Sequence, residues 1–272
     1  MRISDALRVP ESPAPKFLDA LCLDESCLIL PDVEIPLHNA AFVNRCIERA
    51  LGYGIRAAIF AGDWFHWGSL AHFFESEKDT DEEIEQIEQH IESFIRPFER
   101  IFYIAGNHDR RPQITLDRFI GADKMTRLVI PPKLAAEFER KVKASDYFYC
   151  WVGEGEDRWR IVHPKATNTV PANAAKAIAT ANNCNVAMAH NHLVGMQQTA
   201  DGRHWGLEIG YCVDTERLAY YMRRDTTRPK MRNGALILHK SRDGFIPELL
   251  SDGLTLWGEQ WQRGKSKSKS RR

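Results

Sequence analysis

Short runs of consecutive apolar residues alternate along the first half of the chain with longer segments whose apolar positions recur every three or four residues. The runs at 26–30, 56–61 and 100–105 end abruptly in polar residues or glycine and predict buried strands. The segments 42–51 and 79–98 keep their apolar side chains on one face, which predicts amphipathic helices. Strands that alternate with helices are typical of a parallel sheet with crossover helices.

The second half of the chain is less regular but contains a second series of strands. The predicted strands cover residues 146–152, 158–162, 185–189, 206–212, 234–239 and 245–249, and the predicted helices cover residues 112–120, 132–142 and 172–181. No internal repeat and no long linker divides this series from the first, so we expect one folded domain.

The composition narrows the class of protein. The 272 residues are 43% hydrophobic and 27% charged, which is ordinary for a globular protein. No run of about 18 apolar residues predicts a transmembrane helix, and residues 1–6 lack the apolar core of a secretion signal. The six cysteines are scattered without a Cys-x-x-Cys pair, which favours reduced thiols. We therefore expect a cytoplasmic protein with no membrane contact.

The charge is balanced overall but unevenly distributed. The chain has 37 basic and 37 acidic residues, and five of the basic ones lie in residues 264–272. The rest of the chain is therefore net acidic and lacks the basic character of a protein held to nucleic acid through phosphate contacts. The tail predicts at most a weak contact with nucleic acid, and the alternative interpretation is a solvated disordered end.

Five predicted strands end in residues that commonly bind metals. They are Asp32, Glu34 and His38 after the first strand, Asp63 after the second, Asn107 and His108 after the third, and His163, His190 and His192 after two later strands. Core packing gives no reason for His or Asp at the end of a strand. In open α/β sheets, ligands bind beyond the carboxyl ends of the strands. Asp, Asn, Glu and His together are the ligand set for two neighbouring divalent cations.

The ordered series of these residues resembles the five motifs of the calcineurin-like metallophosphoesterase superfamily. The matching motifs are Asp32-x-Glu34, Gly62-Asp63, Gly106-Asn107-His108-Asp109, His163 and His190-Asn191-His192, across about residues 27–192. The resemblance implies an α/β fold, a two-sheet β-sandwich flanked by helices. It also implies that the metallophosphoesterase domain covers residues 21–262. Pro10, Pro13 and Pro15 predict an extended arm over residues 1–20, and composition predicts a basic disordered tail over residues 263–272.

The resemblance also implies roles for individual residues. The first ion would be held by Asp32, Asp63, His192 and, as a fourth ligand, Glu34; the second would be held by Asp63, Asn107, His163 and His190. His108 would steady the phosphate and protonate the leaving oxygen, with Asp109 fixing the orientation of the His108 ring. A hydroxide that bridges the two metals would attack phosphorus.

This chain departs from the family pattern at two positions. It has Ala189 where the family has glycine, which we expect to be a tolerated change, and Glu34 where the family has histidine. A carboxylate makes the first site harder and more negative, which favours Mn²⁺ or Mg²⁺ over Zn²⁺. Mn²⁺ is the preferred ion, and Mg²⁺, Fe²⁺, Zn²⁺ and Ni²⁺ are the alternatives. The other interpretation is that Glu34 points away and His38 reaches the ion. We prefer Glu34 as the ligand and His38 as a neighbour of the site.

Three further residues are candidates for substrate contacts. His66 either lines the cleft or belongs to an aromatic cap that includes Trp64, Phe65 and Trp67. Arg110 follows the catalytic loop and either grips a phosphate or is solvated. His204 lies beyond the last motif, where family members often shape the substrate pocket, and it could equally be an ordinary histidine.

The function that these observations predict is hydrolysis of a phosphate ester by a dinuclear metal centre. We prefer a phosphodiester, such as a nucleic acid or a nucleotide derivative, because Trp64, Phe65, Trp67 and Trp205 could stack on a base and the tail is basic. The alternative substrate is a phosphomonoester of a nucleotide or protein. A non-catalytic binding module on the same fold is disfavoured because the ligand positions are occupied by suitable residues. The oligomeric state is left open.

Overall fold

The computed structural model describes residues 20–71, 79–117, 119–218 and 231–252. Its strands are β1 (Cys22–Leu23), β2 (Cys27–Leu30), β3 (Ala57–Ala61), β4 (Arg100–Ile104), β5 (Val142–Ser145), β6 (Tyr149–Val152), β7 (Trp159–Val162), β8 (Asn185–Met188), β9 (Val194–Gln198), β10 (Trp205–Ile209), β11 (Gly234–Ser241) and β12 (Gly244–Ser251). The basic tail and all but the last residue of the arm lie outside the described ranges.

The strands form two six-stranded mixed sheets. The first sheet has the order β12-β11-β2-β3-β4-β5, and the second has the order β1-β6-β7-β8-β10-β9. β2 to β5 are parallel neighbours, and β11 adds antiparallel to β2. In the second sheet β7, β8 and β10 are parallel, while β9 runs antiparallel to β10. The predicted two-sheet α/β architecture is therefore confirmed.

The described α-helices flank the two sheets. They are α1 (Ala40–Gly52), α2 (Thr80–Ile95), α3 (Arg111–Leu116), α4 (Ala122–Arg127), α5 (Ala135–Lys141) and α6 (Asn173–Asn182). Asn39 and Asp79 cap α1 and α2 by accepting from the backbone N–H groups of Phe42 and Glu82, which satisfies donors that the helices leave free. None of the described helices is both long and apolar enough to cross a membrane.

The core has one layer between the sheets and one layer outside each sheet. Ile29, Ile59 and Phe102 face Ile161 and Leu207 between the two sheets, and all five are buried. On the other side of the first sheet, alternate residues of β2 and β3 pack against α1 and α2. α6 covers part of the outer face of the second sheet. These layers fix the sheets against each other, so the strand ends at their common edge hold loops in defined positions.

The sequence pattern missed some elements. β1, β5, β9 and α4 were not predicted, and the predicted helix at 132–142 ends before Val142, where β5 begins. β1 has only two residues, and β9 is a half-exposed edge strand without clear alternation. Such short or exposed elements depend on pairing with a neighbouring strand more than on their own sequence.

Candidate metal centre

The loops that follow β2, β3, β4, β7 and β8 meet at one edge of the two sheets. The backbone N–H of Asp32 donates to the carbonyl of Gly62 at 3.2 Å, and the N–H of Ala189 donates to Val162 at 3.0 Å. The Nδ1 atom of His163 lies 3.0 Å from the carbonyl oxygen of Ala61, which joins the second sheet to the first. The strand ends chosen from the sequence therefore converge.

The backbone of these loops is strained where the candidate ligands lie. Nine non-glycine residues in the described ranges have positive φ, and five of them are Asp32, Glu34, Asp63, His190 and His192. A left-handed conformation is unfavourable for residues with a side chain, and such residues cluster at functional sites. The fold therefore holds the backbone at these five residues in a conformation that an unconstrained loop would rarely adopt.

Two glycines allow the loops to approach closely enough. A Cβ atom at Gly62 would clash with the ring of His163, and one at Gly106 would clash with the carboxylate and backbone of Asp63. Gly62 also has a φ of +89°, which a side chain would disfavour. Gly62 and Gly106 are thus required by the packing of the centre itself.

The predicted ligands of the second ion lie together. The Nε2 atom of His163 is 3.4 Å from Oδ2 of Asp63 and 3.1 Å from Oδ1 of Asn107. A ring nitrogen of His190 lies within 4.8 Å of the ligand atoms of Asp63 and His163. Burial and the charge of His163 lower the pKa of His190, which favours the neutral ring that binds metals. These four residues could hold one ion.

The predicted ligands of the first ion are also neighbours. The Nε2 atom of His192 is 3.3 Å from Oδ1 of Asp32 and 3.9 Å from Oε1 of Glu34. The other oxygen of Asp32 accepts a hydrogen bond from the backbone N–H of His190 at 2.9 Å. Asp32 and Glu34 are fully buried. The carboxylate of Asp63 contacts His163 of the second set, and the backbone of Asp63 joins the first set, since its carbonyl accepts from the N–H of Glu34 at 2.8 Å.

The spacing and chemistry of these donors fit divalent cations. Two ligand atoms that each lie about 2.1 Å from one ion are separated by about 3.0–3.4 Å in octahedral or tetrahedral geometry. The closest side-chain pairs in both sets have separations in this range. Oε1 of Glu34 is buried without a hydrogen-bond partner among the described residues. A cation would satisfy this oxygen, whose burial is otherwise costly.

Glu34 also contacts the catalytic loop. Its Oε2 atom accepts a hydrogen bond from Nδ1 of His66 at 2.6 Å and lies 3.4 Å from Nδ1 of His108. His66 therefore belongs to the site, although the sequence left its position open. Burial would raise the pKa of Glu34, but His108 and His66 outweigh burial and hold that pKa well below its usual range. Glu34 is the described carboxylate within 4.0 Å of Nδ1 of His108, an atom that has no hydrogen-bond partner among the described residues.

The predicted role of Asp109 is wrong. Its two oxygens accept from the backbone N–H groups of Trp64, Phe65 and Gly106 at 3.3, 3.0 and 2.8 Å. The buried carboxylate therefore ties the loop after β3 to the loop after β4. Asp109 supports the backbone that carries Asp63, and it does not face the ring of His108.

The surroundings of His108 favour its protonated form. Burial lowers the pKa of His108, but the carboxylates of Asp63 and Glu34 outweigh burial and raise it to about 9. Its Nε2 atom lies 4.0 Å from Oδ2 of Asp63. A protonated imidazole beside the ligand cluster can donate a hydrogen bond to a phosphoryl oxygen or a proton to a leaving group.

His38 and His204 do not join the centre. The ring of His38 packs edge-on against His90 and Phe94, at centroid distances of 5.0 and 5.1 Å, whereas Oε1 of Glu34 lies 3.9 Å from Nε2 of His192, which favours Glu34 as the fourth ligand of the first set. His204 lies at the amino end of β10, with its Nε2 atom 3.2 Å from Oδ1 of Asn183. β8 and β10 are parallel, and His190 follows the opposite end of β8. The prediction of His204 as a pocket residue is wrong.

The aromatic residues proposed to stack on a base are not available for that role. Trp64, Phe65 and Trp67 are at most 2% exposed, and Trp64 stacks on Phe60 and Phe65. They form the cap under the loop that the sequence offered as the alternative. Trp205 lies beside His204 at the far end of β10. A stacking surface for a base must therefore be sought elsewhere.

The two arginines after the catalytic loop have different surroundings. Arg111 donates to the backbone carbonyls of His66 and Trp67, so it fixes the loop after β3. Arg110 lies with its guanidinium carbon 4.0 Å from the centroid of the Phe148 ring and donates to the carbonyl of Asp146. Arg110 is half-buried at the rim of the centre.

Sequence reasoning missed Glu208, which supports the last histidine motif. Glu208 is 1% exposed on β10 and accepts a hydrogen bond from Nδ2 of Asn191 at 3.1 Å. Asn191 separates His190 from His192, so this contact positions both rings. A lone carboxylate in the otherwise apolar strand β10 was the available signal.

Comparison with known proteins finds only distant similarity. No protein-family model and no curated protein matches the sequence. Among solved structures, the chain is similar to Vps29 of Chaetomium thermophilum, with 7% identity, a TM-score of 0.42 and coverage of 84% of this chain and 96% of that one. It is also similar to Yfce, a phosphoesterase from E. coli, with 12% identity, a TM-score of 0.37 and coverage of 83% and 98%. At this distance the function must be inferred from the site itself.

Proposed function

We propose that this chain is a dinuclear metal-dependent phosphodiesterase. The observation that carries the proposal is that the candidate ligands of both ions converge at one sheet edge around Asp63, beside His108, whose pKa is raised to about 9 by Asp63 and Glu34. Asp32, Glu34, Asp63 and His192 would hold one ion, and Asp63, Asn107, His163 and His190 would hold the other. Mn²⁺ is the preferred ion because Glu34 adds a hard oxygen donor to the first set.

Two such ions supply Lewis acidity toward a phosphoryl oxygen and make water nucleophilic near neutral pH. The residues of the chain supply the rest. Asn107 is exposed and His190 is half-buried, whereas Asp32 and Glu34 are inaccessible, so the substrate approaches on the side of the second set. His108 donates a hydrogen bond to the phosphate and then its proton to the leaving oxygen. Glu34, held by His66, keeps the His108 ring in place.

The cysteines offer no competing nucleophile. Five of the six are buried, and burial raises the pKa of Cys27, Cys150 and Cys212. The exposed thiol, Cys22, also has a raised pKa because of partial burial and the nearby Glu154. A thiolate at neutral pH is therefore disfavoured, which supports direct attack by water over a covalent intermediate.

The cationic groups at the rim favour a diester over a monoester. Of the two arginines beside the centre, Arg111 donates to the carbonyls of His66 and Trp67 and Arg110 donates to that of Asp146, so His108 is the cationic side chain most directly placed to face an anion. A phosphodiester carries one negative charge, and a phosphomonoester carries nearly two at neutral pH. A site with few cationic side chains therefore suits the phosphodiester better than the more highly charged phosphomonoester.

The test compares hydrolysis of bis-p-nitrophenyl phosphate with that of p-nitrophenyl phosphate in Mn²⁺, with Asp63→Asn as the inactive control. We expect diester turnover at least equal to monoester turnover, its loss on chelation and its recovery with Mn²⁺. A strong monoester preference would overturn the substrate class. Failure of the Mn²⁺-loaded wild-type chain to hydrolyse either ester would identify a binding module.

A further inference from the structure

The outer face of β6 and β7 carries a row of arginines on aromatic rings. Tyr149 and Trp151 are two residues apart on β6 and so point to the same face, with ring centroids 5.6 Å apart. The guanidinium carbon of Arg160 is 3.9 Å from the centroid of Tyr149, and that of Arg158 is 3.9 Å from the centroid of Trp151. We call these four residues the arginine–aromatic strip.

The strip is accessible because no described helix covers it fully. α6 packs mainly on β8 and β10, but it borders the strip: its last residue, Asn182, accepts a hydrogen bond from Arg160, and Tyr149 and Trp151 pack against its apolar cluster. Arg158 is exposed, and the other three side chains of the strip are half-buried. Planar groups and charges are therefore presented together on one sheet face.

One end of the strip reaches the metal centre. Tyr149 pairs with Val162, the residue before the ligand His163. The backbone carbonyl of the preceding Phe148 accepts from the N–H of His163 at 2.9 Å. Phe148 is 36% exposed and carries Arg110 over its ring. A chain bound along the strip would thus meet the rim of the second ligand set.

The charges on this surface are not neutralised. Among the described residues, Arg110, Arg158 and Arg160 have no carboxylate within 4.0 Å of their side-chain nitrogens. Two other arginines that lie near aromatic rings, Arg45 and Arg49, do form ion pairs, with Asp252 and Glu248. A guanidinium that is held flat on a ring and lacks a carboxylate partner is preorganised for a phosphate.

The opposite end of the strip is closed by negative charge. The turn between β6 and β7 carries Glu154, Glu156 and Asp157, and all three are exposed. A polyanion would be repelled at that end of the strip. The strip is therefore short and directed toward the metal centre.

We propose that the arginine–aromatic strip binds single-stranded nucleic acid and leads one of its phosphodiesters to the metal centre. The second half of this statement rests on the proposed phosphodiesterase activity. Arg160 and Arg158 already cover the faces of Tyr149 and Trp151, so unpaired bases would stack on the outer faces of the guanidinium groups, whose N–H groups contact the phosphates. A duplex hides the faces of its bases and binds this surface poorly.

The test measures fluorescence anisotropy of a labelled single-stranded oligonucleotide with the full chain in chelator, so that no hydrolysis occurs. The Arg158→Gln/Arg160→Gln double variant should bind at least tenfold more weakly. Its log–log salt slope should be shallower by about 1.4, since each phosphate contact on a single strand contributes about 0.7. Arg45→Gln/Arg49→Gln is the matched control and should bind as the wild type does. The thermal midpoint of each variant confirms folding.

Three results would overturn the proposal. The first is that the wild type does not bind the oligonucleotide, and the second is that it binds a duplex of the same sequence equally well. The third is that the Arg158→Gln/Arg160→Gln variant keeps the wild-type affinity and salt slope, which would place binding on another basic segment. Hydrolysis of bis-p-nitrophenyl phosphate separates this proposal from the previous one. If the chain hydrolyses the small diester but does not bind the oligonucleotide, only the proposal for the strip is refuted. If the oligonucleotide binds through the strip but the chain hydrolyses neither ester, only the proposed phosphodiesterase activity is refuted.

Discussion

Bound metal should stabilise the folded chain, and replacing a ligand of one ion should remove only the part of the stabilisation that this ion provides. Asp32 belongs to the first ligand set, His163 to the second, and Asp63 to both. An ion that binds only the folded chain stabilises it by about 2.7 kcal/mol at one hundred times its dissociation constant. Two ions should therefore add about 5 kcal/mol, or roughly 10–20 °C in thermal midpoint for a chain of this size.

The assay is thermal unfolding in chelator and then in Mn²⁺ at about one hundred times the dissociation constant found by titration. We expect Asp32→Asn and His163→Gln each to retain about half of the wild-type midpoint shift, because each leaves one set intact. Asp63→Asn should retain almost none. His204→Ala is the control and should show the full shift, since His204 lies at the opposite end of β10.

Two results would refute this reasoning. A full midpoint shift in Asp63→Asn would mean that its carboxylate does not serve either ion. Loss of the entire shift in both single-set variants would mean that the ligands form one ion site and not two.

Three further variants test individual roles. Glu34→Gln should keep the contact with His66 but lower the affinity for the first ion at least tenfold. If metal affinity is unchanged while turnover falls, the role of Glu34 is limited to orienting His108. His108→Ala should lower turnover by about 10²–10⁴ at unchanged metal content, and loss of both ions would contradict its assigned role. Burial lowers the pKa of His38 to about 4, so the folded chain resists protonating it. Stability should fall by about 3 kcal/mol more in the wild type than in His38→Gln as pH drops from 6.5 to 4 in chelator; parallel curves would contradict this.

The strand-end positions of the candidate ligands could be predicted from the sequence because each is a local signal. An apolar run that stops at Asp63 or at Asn107 identifies a strand end, and strand ends at one sheet edge are close in space. The same signals predicted the parallel part of the first sheet. Neither prediction required knowledge of the tertiary contacts of any side chain.

The directions of side chains within the loops could not be predicted in this way. The loop after β3 packs on the loop after β4, so Asp109 meets backbone N–H groups and Glu34 takes the place beside His108. Adjacency in sequence had favoured Asp109. Similarly, Trp64 turns under the loop because the first sheet offers it the ring of Phe60.

The misplacement of His204 follows from a missed strand. β9 leaves the metal centre after His192 and runs antiparallel to β10, so the turn between them lies at the remote end of the second sheet. β10 then returns to the centre, where the N–H of Cys212 donates to the carbonyl of Asp32 at 3.0 Å. Without β9, residues beyond the last motif seemed to stay near the site.

The most direct test of the central claim is electron paramagnetic resonance of the chain loaded with two equivalents of Mn²⁺. Two ions that share the carboxylate of Asp63 are neighbours and magnetically coupled, so the wild type should give the exchange-coupled spectrum of a dinuclear centre. Asp63→Asn should not give this spectrum. A wild-type spectrum made up only of isolated Mn²⁺ signals, with or without tight binding, would contradict the dinuclear centre and the activity proposed for it.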